Sequence, residues 1–145
     1  MEEGCDTEFS DLLNDLESND ANLYDYPISF ADSATLEMNN RYAVFVDSSS
    51  FSTTADLKEA IAHEVGHCAT GCTHTLSSPL DLIEKHEYQA NRWAIERYLP
   101  FEEINQAMKK GYREPWELAD YFNVSERFIR KAINYYTGPR GKHFG

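Results

Sequence analysis

"AIAHEVGHCATG", residues 60–71, decides how this chain is read, because it places two histidines four apart with a glutamate between them. In an α-helix, residues four apart lie on one face, one turn above each other. His63 and His67 then direct their imidazoles to a single locus, and two converging neutral imidazoles are half of a tetrahedral zinc site. Glu64, beside the first histidine, stands over the metal without ligating it, which is where a general base belongs. Zinc lowers the pKa of water bound to it toward neutrality and polarises a carbonyl.

The surrounding residues supply the helix that this chemistry needs. Thr53 and Asp56 form a capping-box pattern at its start. Leu57, Ile61 and Val65 recur at four-residue spacing, and Gly71 is a natural stop. A glycine inside a helix costs about 1 kcal/mol relative to alanine, so Gly66 predicts that another element packs closely there.

A hydrolytic zinc site takes a third protein ligand and keeps one position open. The downstream candidates are His74, Asp81, Glu84, His86 and Glu87. A second helix is predicted over 79–99, with Ser78 as N-cap, Pro79 in the first turn, Asp81 completing a capping box and Pro100 ending it. On it Ile83, Glu87, Ala90, Ala94 and Tyr98 follow a buried stripe. Glu87 interrupts that stripe with a charge, and a buried carboxylate must be paired or metal-bound. Glu87 is therefore the expected third ligand. Glu84, one turn earlier, is the runner-up, and a salt bridge from Glu87 to Lys58 or Arg97 is the competing structural reading. Two histidines and a glutamate accept zinc or manganese.

Outward from these helices, residues 6–18 place Phe9, Leu12, Leu13 and Leu16 on one helical face, and "NDANLYDYP" reads as loop. Residues 28–51 read as strands around a turn at "MNNR", the best being "YAVFVD", 42–47. Such a strand is a candidate edge for an extended substrate, with Tyr42, Val44 and Val46 as contacts; the plain alternative is a core strand. His74 and Tyr88 are placed near the mouth of the site. Residues 101–110 form a short helix closed by Gly111. "PWELADYF" and "SERFIRKAINYY" form two more around "NVS", with Asn123 in the left-handed turn and Ser125 as cap. This pair mimics a helix-turn-helix whose outward face would carry Arg127, Arg130, Lys131 and Asn134. The tail "TGPRGKHFG" is expected to fray. The fold class is α+β, mainly helical with a small sheet, divided into residues 1–100 and a C-terminal helical subdomain, 101–145, packed on or next to it.

The chain has 145 residues and a net charge of −12, with an apolar share of 41% that suits a globular protein. Residues 1–100 carry 5 Lys/Arg against 19 Asp/Glu, whereas 101–145 carry 8 against 6. So acidic a surface repels phosphate backbones, so no direct nucleic-acid binding is expected. Basic protein partners suit it better. No apolar run approaches the roughly 20 residues that span a bilayer, so no membrane partner is expected. The N-terminal residues lack the pattern of a signal peptide. Three cysteines, Cys5, Cys68 and Cys72, suit reduced thiols better than a disulfide framework, and a cytoplasmic location is expected. The spacing of Cys68, Cys72 and His74 matches no common structural zinc pattern.

"AIAHEVGHCATG" followed by "KHEYQANRWAIERYLP" resembles the ImmA/IrrE family of metallopeptidases, gluzincin-type enzymes with H-E-x-x-H and a later glutamate. The resemblance includes the strands before the motif, and "PWELADYFNVSERFIRKAI" looks like the tail of mobile-element ImmA members. It implies a zincin-like core and Glu87, in an E-x-x-A-N element with Ala90 and Asn91, as third zinc ligand. Gln89 stands where many members carry an acidic residue. The resemblance further implies a site-specific endopeptidase that cleaves a helix-turn-helix repressor and so derepresses a phage or mobile element. The alternative is a non-proteolytic anti-repressor module with a structural zinc. A DNA-binding regulator using the C-terminal helices is a third reading.

Overall fold

The computed structural model describes residues 7–28, 31–73 and 79–145. In chain order these form α1 (Phe9–Ser18), β1 (Ala21–Asp25), β2 (Ser33–Met38), β3 (Arg41–Val46), α2 (Thr54–Thr70), α3 (Leu80–Tyr98), α4 (Phe101–Lys109), α5 (Pro115–Phe122) and α6 (Glu126–Thr137), with a 3-10 turn at Ser48–Ser50. The architecture is α+β and mainly helical, as the sequence predicts.

The sheet departs from expectation. The segment read as loop contains β1, which pairs in parallel with β3, while β2 pairs antiparallel on the other side. β3 is therefore the central strand and not an edge. β1 escapes detection because it is five residues long, follows Asp20 and ends on Asp25, and only Ala21 in it is buried. Its partner, β3, comes from about twenty residues downstream, so tertiary pairing makes the strand. The hairpin between β2 and β3 turns at Asn39 and Asn40, both with positive φ (52° and 63°), the conformation a two-residue hairpin loop requires.

One face of the sheet carries Val44 and Val46 against α2 and α1. In register with them on β2 are Thr35, opposite Val44, and Ser33, opposite Val46. These two hydroxyls therefore face the helix layer, while Leu36 and Met38 alternate to the outer face, 45% and 62% exposed.

α2 behaves as its sequence dictates. The Thr53 hydroxyl accepts from the Asp56 amide, and Gly71 closes the helix in the left-handed conformation at φ 68°. Against α3 the two backbones nearly touch. A Cβ at Gly66 would lie 2.3 Å from the Ala90 carbonyl oxygen. α3 starts one residue later than the N-cap reading required: Pro79 is the cap residue and no side chain caps it. Ser78 lies outside the described residues. In α1, Leu12 and Leu16 are buried, but Phe9 and Leu13 are 36% and 47% exposed, so the buried stripe is half the predicted width.

The apolar cluster runs without a break from Leu12 through Val65 and Leu99 to Phe122, Ile129 and Tyr136. Asn123 takes the left-handed turn at φ 59°, and the Ser125 hydroxyl caps α6. The tail does not fray. Phe144 stacks on Phe101 with centroids 4.6 Å apart, and the Lys142 amide donates to the Tyr136 carbonyl at 2.7 Å. Among the described residues, no helix is long and apolar enough to cross a membrane.

Candidate metal centre

The close crossing of α2 and α3 at Gly66 and Ala90 sets the position of Glu87, one turn earlier on α3. Its Oε1 lies 2.7 Å from His63 Nε2, and its Oε2 lies 2.9 Å from His67 Nε2. The two Nε2 atoms are 3.1 Å apart. These three side chains are the one His/Cys/Asp/Glu group among the described residues with donor atoms within 4.8 Å of one another. Glu84 is exposed and outside the group. The cations of the competing reading have other partners: the Lys58 ammonium donates to the Thr7 carbonyl, and Arg97 pairs with Asp15 at 2.8 Å.

The donor set fits a metal. His67 Nδ1 donates to the Cys72 carbonyl at 2.6 Å, since a carbonyl can only accept. His63 Nδ1 lies 2.8 Å from Asn91 Oδ1 and donates to it. A neutral imidazole protonated at Nδ1 presents its Nε2 lone pair to the metal locus, and such outer partners are what fix metal-binding histidines. Ligand distances of about 2.0–2.1 Å at tetrahedral angles separate donors by about 3.3 Å, within reach of the contacts above. When the same rings also carry a proton on Nε2, they donate to Glu87: burial disfavours the Glu87 carboxylate, but these hydrogen bonds from His63 and His67 outweigh it and hold Glu87 well below the usual carboxylate range. Burial likewise opposes the His63 imidazolium, yet Glu87 and Glu64 together raise its pKa.

Glu64, next to His63 on α2, lies on the sheet side of the centre, and its charge still acts on His63. It is buried, and its carboxylate accepts from Ser33 Oγ at 2.7 Å and Thr35 Oγ1 at 2.6 Å. Among the described residues β2 is the outer strand of the sheet on the side of Glu64. This corrects the reading of Tyr42, Val44 and Val46 as an edge for substrate. β3 is paired on both sides, and Val44 and Val46 are 0% and 2% exposed beneath the helices, so neither backbone nor side chain is open to a peptide. Tyr42 is packed against the core near the end of α2. Tyr88 is exposed on α3, next to Glu87. His74 lies outside the described residues.

Ser33, Thr35, Asn91 and the Cys72 carbonyl are the parts sequence reasoning missed. Asn91 alone left a trace, as the last residue of the E-x-x-A-N element. Both described cysteines are free thiols. The Cys72 thiol donates to Gln89 Oε1, which ties the loop carrying the His67 acceptor to α3. Burial pushes the Cys68 thiol up to about 12, so it is an inert part of the layer under Glu64.

On the far side of His63, Glu59 is buried one turn earlier on α2. It accepts from Ser125 Oγ at 2.8 Å, Arg127 Nε at 3.0 Å and Lys131 Nζ at 2.8 Å. Burial alone would raise its pKa, but these partners hold it below the ordinary value. Two of the cations expected on an outward helix-turn-helix face are thus engaged by α2, and a third, Arg130, pairs with Glu126 on its own helix at 2.6 Å.

The family model described as Peptidase_M78, IrrE N-terminal-like domain, matches residues 14–134. No curated protein and no solved structure matches the chain. The match spans the sheet, α2 to α5 and α6 as far as residue 134, and the chain belongs to this metallopeptidase family with its mainly helical, zincin-like α+β fold.

Proposed function

We propose that this family member is a zinc-dependent endopeptidase that cuts a helix-turn-helix repressor, with His63, His67 and Glu87 holding the metal and Glu64 as general base. The carrying observation is the meeting of two Nε2 atoms and one carboxylate within 3.1 Å of each other, with a second carboxylate one residue from the first ligand. The donor set accepts manganese as well, but imidazole-rich sites of this kind favour zinc.

When bound, the metal supplies a Lewis acid that activates water and polarises the scissile carbonyl. The protein's own groups do the rest. The Asn91 and Cys72 oxygens keep each Nδ1 protonated, and so keep each Nε2 available. Glu64 takes a proton from the attacking water and later delivers it to the leaving amine nitrogen. Ser33 and Thr35 hold that carboxylate in one orientation while leaving it acceptor capacity, because a carboxylate offers about four lone-pair sites. The outer edge of β2, unpaired among the described residues, and not β3, is where an extended peptide would add backbone hydrogen bonds beside Glu64. A repressor as substrate is supported by the resemblance to mobile-element members and by the acidic surface, which attracts a protein that is itself basic where it meets DNA.

The test is incubation of the protein and zinc with the repressor encoded beside it. One discrete cut is expected, and Glu64→Gln should abolish it while zinc binding persists. Cleavage by Glu64→Gln at the wild-type rate refutes the mechanism. Derepression that survives Glu64→Gln in cells points instead to sequestration without proteolysis.

A further inference from the structure

Beside the metal centre, α2, α3 and α6 enclose an open cavity of about 250 Å³, walled by Glu59, His63, Glu87, Asn91, Arg127 and Lys131. It has its two cations from the C-terminal helix, in a protein whose first hundred residues are strongly acidic. Glu59 explains how they come to be there. One buried carboxylate anchors both, taking Arg127 through Nε at 3.0 Å and Lys131 through Nζ at 2.8 Å. Neither cation is consumed by that anchoring. Arg127 is 63% exposed and Lys131 46% exposed. The next carboxylate, Asp56, stands 4.0 Å from Arg127 Nη2, beyond hydrogen-bond reach. The guanidinium therefore keeps its two terminal nitrogens, the fork that matches a carboxylate bidentately. Glu87, the other acid in the wall, faces the two histidines. Among the described residues, then, Glu59 is the one carboxylate within hydrogen-bond distance of the two cations, with Asp56 as a looser ion pair to Arg127.

We infer that this cavity is a carboxylate-binding subsite, in which Arg127 and Lys131 receive a carboxylate of the peptide next to the bond being cut. The inference rests on the peptidase reading for its ligand being a peptide; the cavity and its cations do not depend on it. The carboxylate has two sources, an Asp or Glu side chain in the chain being cut or the free C-terminus of a short product or substrate. Both present the same planar group to the same fork.

Fluorescence anisotropy on the full-length Glu64→Gln protein with zinc separates these. The probes are fluorescein-labelled decapeptides of alanine and serine. In one series, amidated at the C-terminus, a single Glu moves along the chain; in the other the C-terminus is free. Matched peptides carrying Gln, or the amide, are the controls. We expect one Glu register, or the free terminus, to bind about tenfold more tightly than its control, the effect of one charge-assisted hydrogen bond at a part-exposed site. The preference should vanish in Arg127→Gln/Lys131→Gln, while the uncharged controls bind as before. Equal affinity across the set, no binding of any peptide at millimolar concentration, or a preference that survives the double substitution overturns the subsite. Since the comparison among peptides uses an unaltered α6, equal affinity across the set refutes the subsite even if the double variant misfolds. The peptidase reading is judged apart, by zinc titration and by cleavage with Glu64 in place. Loss of those with the carboxylate preference intact would remove the enzyme and leave the pocket.

Discussion

Gly66→Ala is the sharpest test of how the metal centre is assembled. The added Cβ would sit 2.3 Å from the Ala90 carbonyl oxygen and 3.0 and 3.1 Å from the Ala90 carbonyl carbon and Cα. All three atoms are backbone in the middle of α3, so no side chain can swing aside. Ordinary contact needs about 3.4 Å, so the helices must part by about 1 Å at their crossing. Alanine is favoured over glycine inside a helix by about 1 kcal/mol, while overpacking of this kind costs about 1–3 kcal/mol. The net loss of stability is then about 0–2 kcal/mol, and the variant should fold. The metal centre has no such tolerance. Ligand distances must hold to about 0.2 Å, and Glu87 lies one turn from the displaced Ala90. Zinc affinity, read by competition with a chromophoric chelator, should fall about 10–100-fold, as for loss of a partner that orients a ligand. Thermal melts without metal report the stability part separately. Affinity within threefold of wild type, in a folded protein, would show that the Gly66–Ala90 contact does not set the ligand geometry.

Three further outcomes follow from the contacts around the centre. Asn91→Ala removes the acceptor on His63 Nδ1, and zinc affinity by the same competition should drop about 10–100-fold with little change in melting temperature. Thr35→Val deprives Glu64 of one of its two hydroxyl donors. It should lower kcat about tenfold or more with KM nearly unchanged, the sign of a base out of position, and Thr35→Ser should restore most of it. For Glu59, the folded pKa lies below the ordinary 4.5, so its stabilising effect is complete above about pH 4.5 and is lost as pH falls through the folded value. Melting temperature measured from pH 7 to 3 should decline less steeply below pH 4.5 in Glu59→Gln than in wild type. Parallel acid limbs for the two proteins would rule out Glu59 as a contributor.

What could be read from the residues and what could not divides along a physical line. α2, α3, the α5–α6 pair and the Asn39–Asn40 turn are specified by neighbours in sequence: Thr53 and Gly71, Pro100, Asn123 and Ser125. Helix periodicity likewise singled out Glu87, because a charge in a small-residue stripe must have a partner. The sheet order was not legible, since β1 exists only through pairing with β3. β2 even misleads by its pattern. Ala34, Leu36 and Met38 alternate like a core face, yet Ser33 and Thr35 turn inward, because the register with Val46 and Val44 and the buried Glu64 carboxylate require it. Polar residues facing a core are expected where a buried charge must be satisfied, but nothing local to β2 announces a carboxylate that is about thirty residues away in sequence. The roles of Arg127 and Lys131 were hidden for the same reason.

α2 sorts these roles by its own periodicity. Glu59, His63 and His67 recur at four-residue intervals, and all three have their partners on α3, α6 or the turn after α2. Glu64 and Cys68, one residue on, form the adjacent stripe and lie against β2. Because a helix advances about 100° per residue, a single-residue offset is enough to put the proposed base on the sheet side of the ligands and the cationic cavity on the α6 side. A peptide that pairs with the edge of β2 and places a carboxylate against Arg127 must therefore cross directly over His63 and Glu87. That path accounts for why both hydroxyls of β2 and both cations of α6 converge on the same two turns of α2. On the proposed reading the C-terminal helix takes part in substrate choice, a role separate from the helix-turn-helix it resembles in outline.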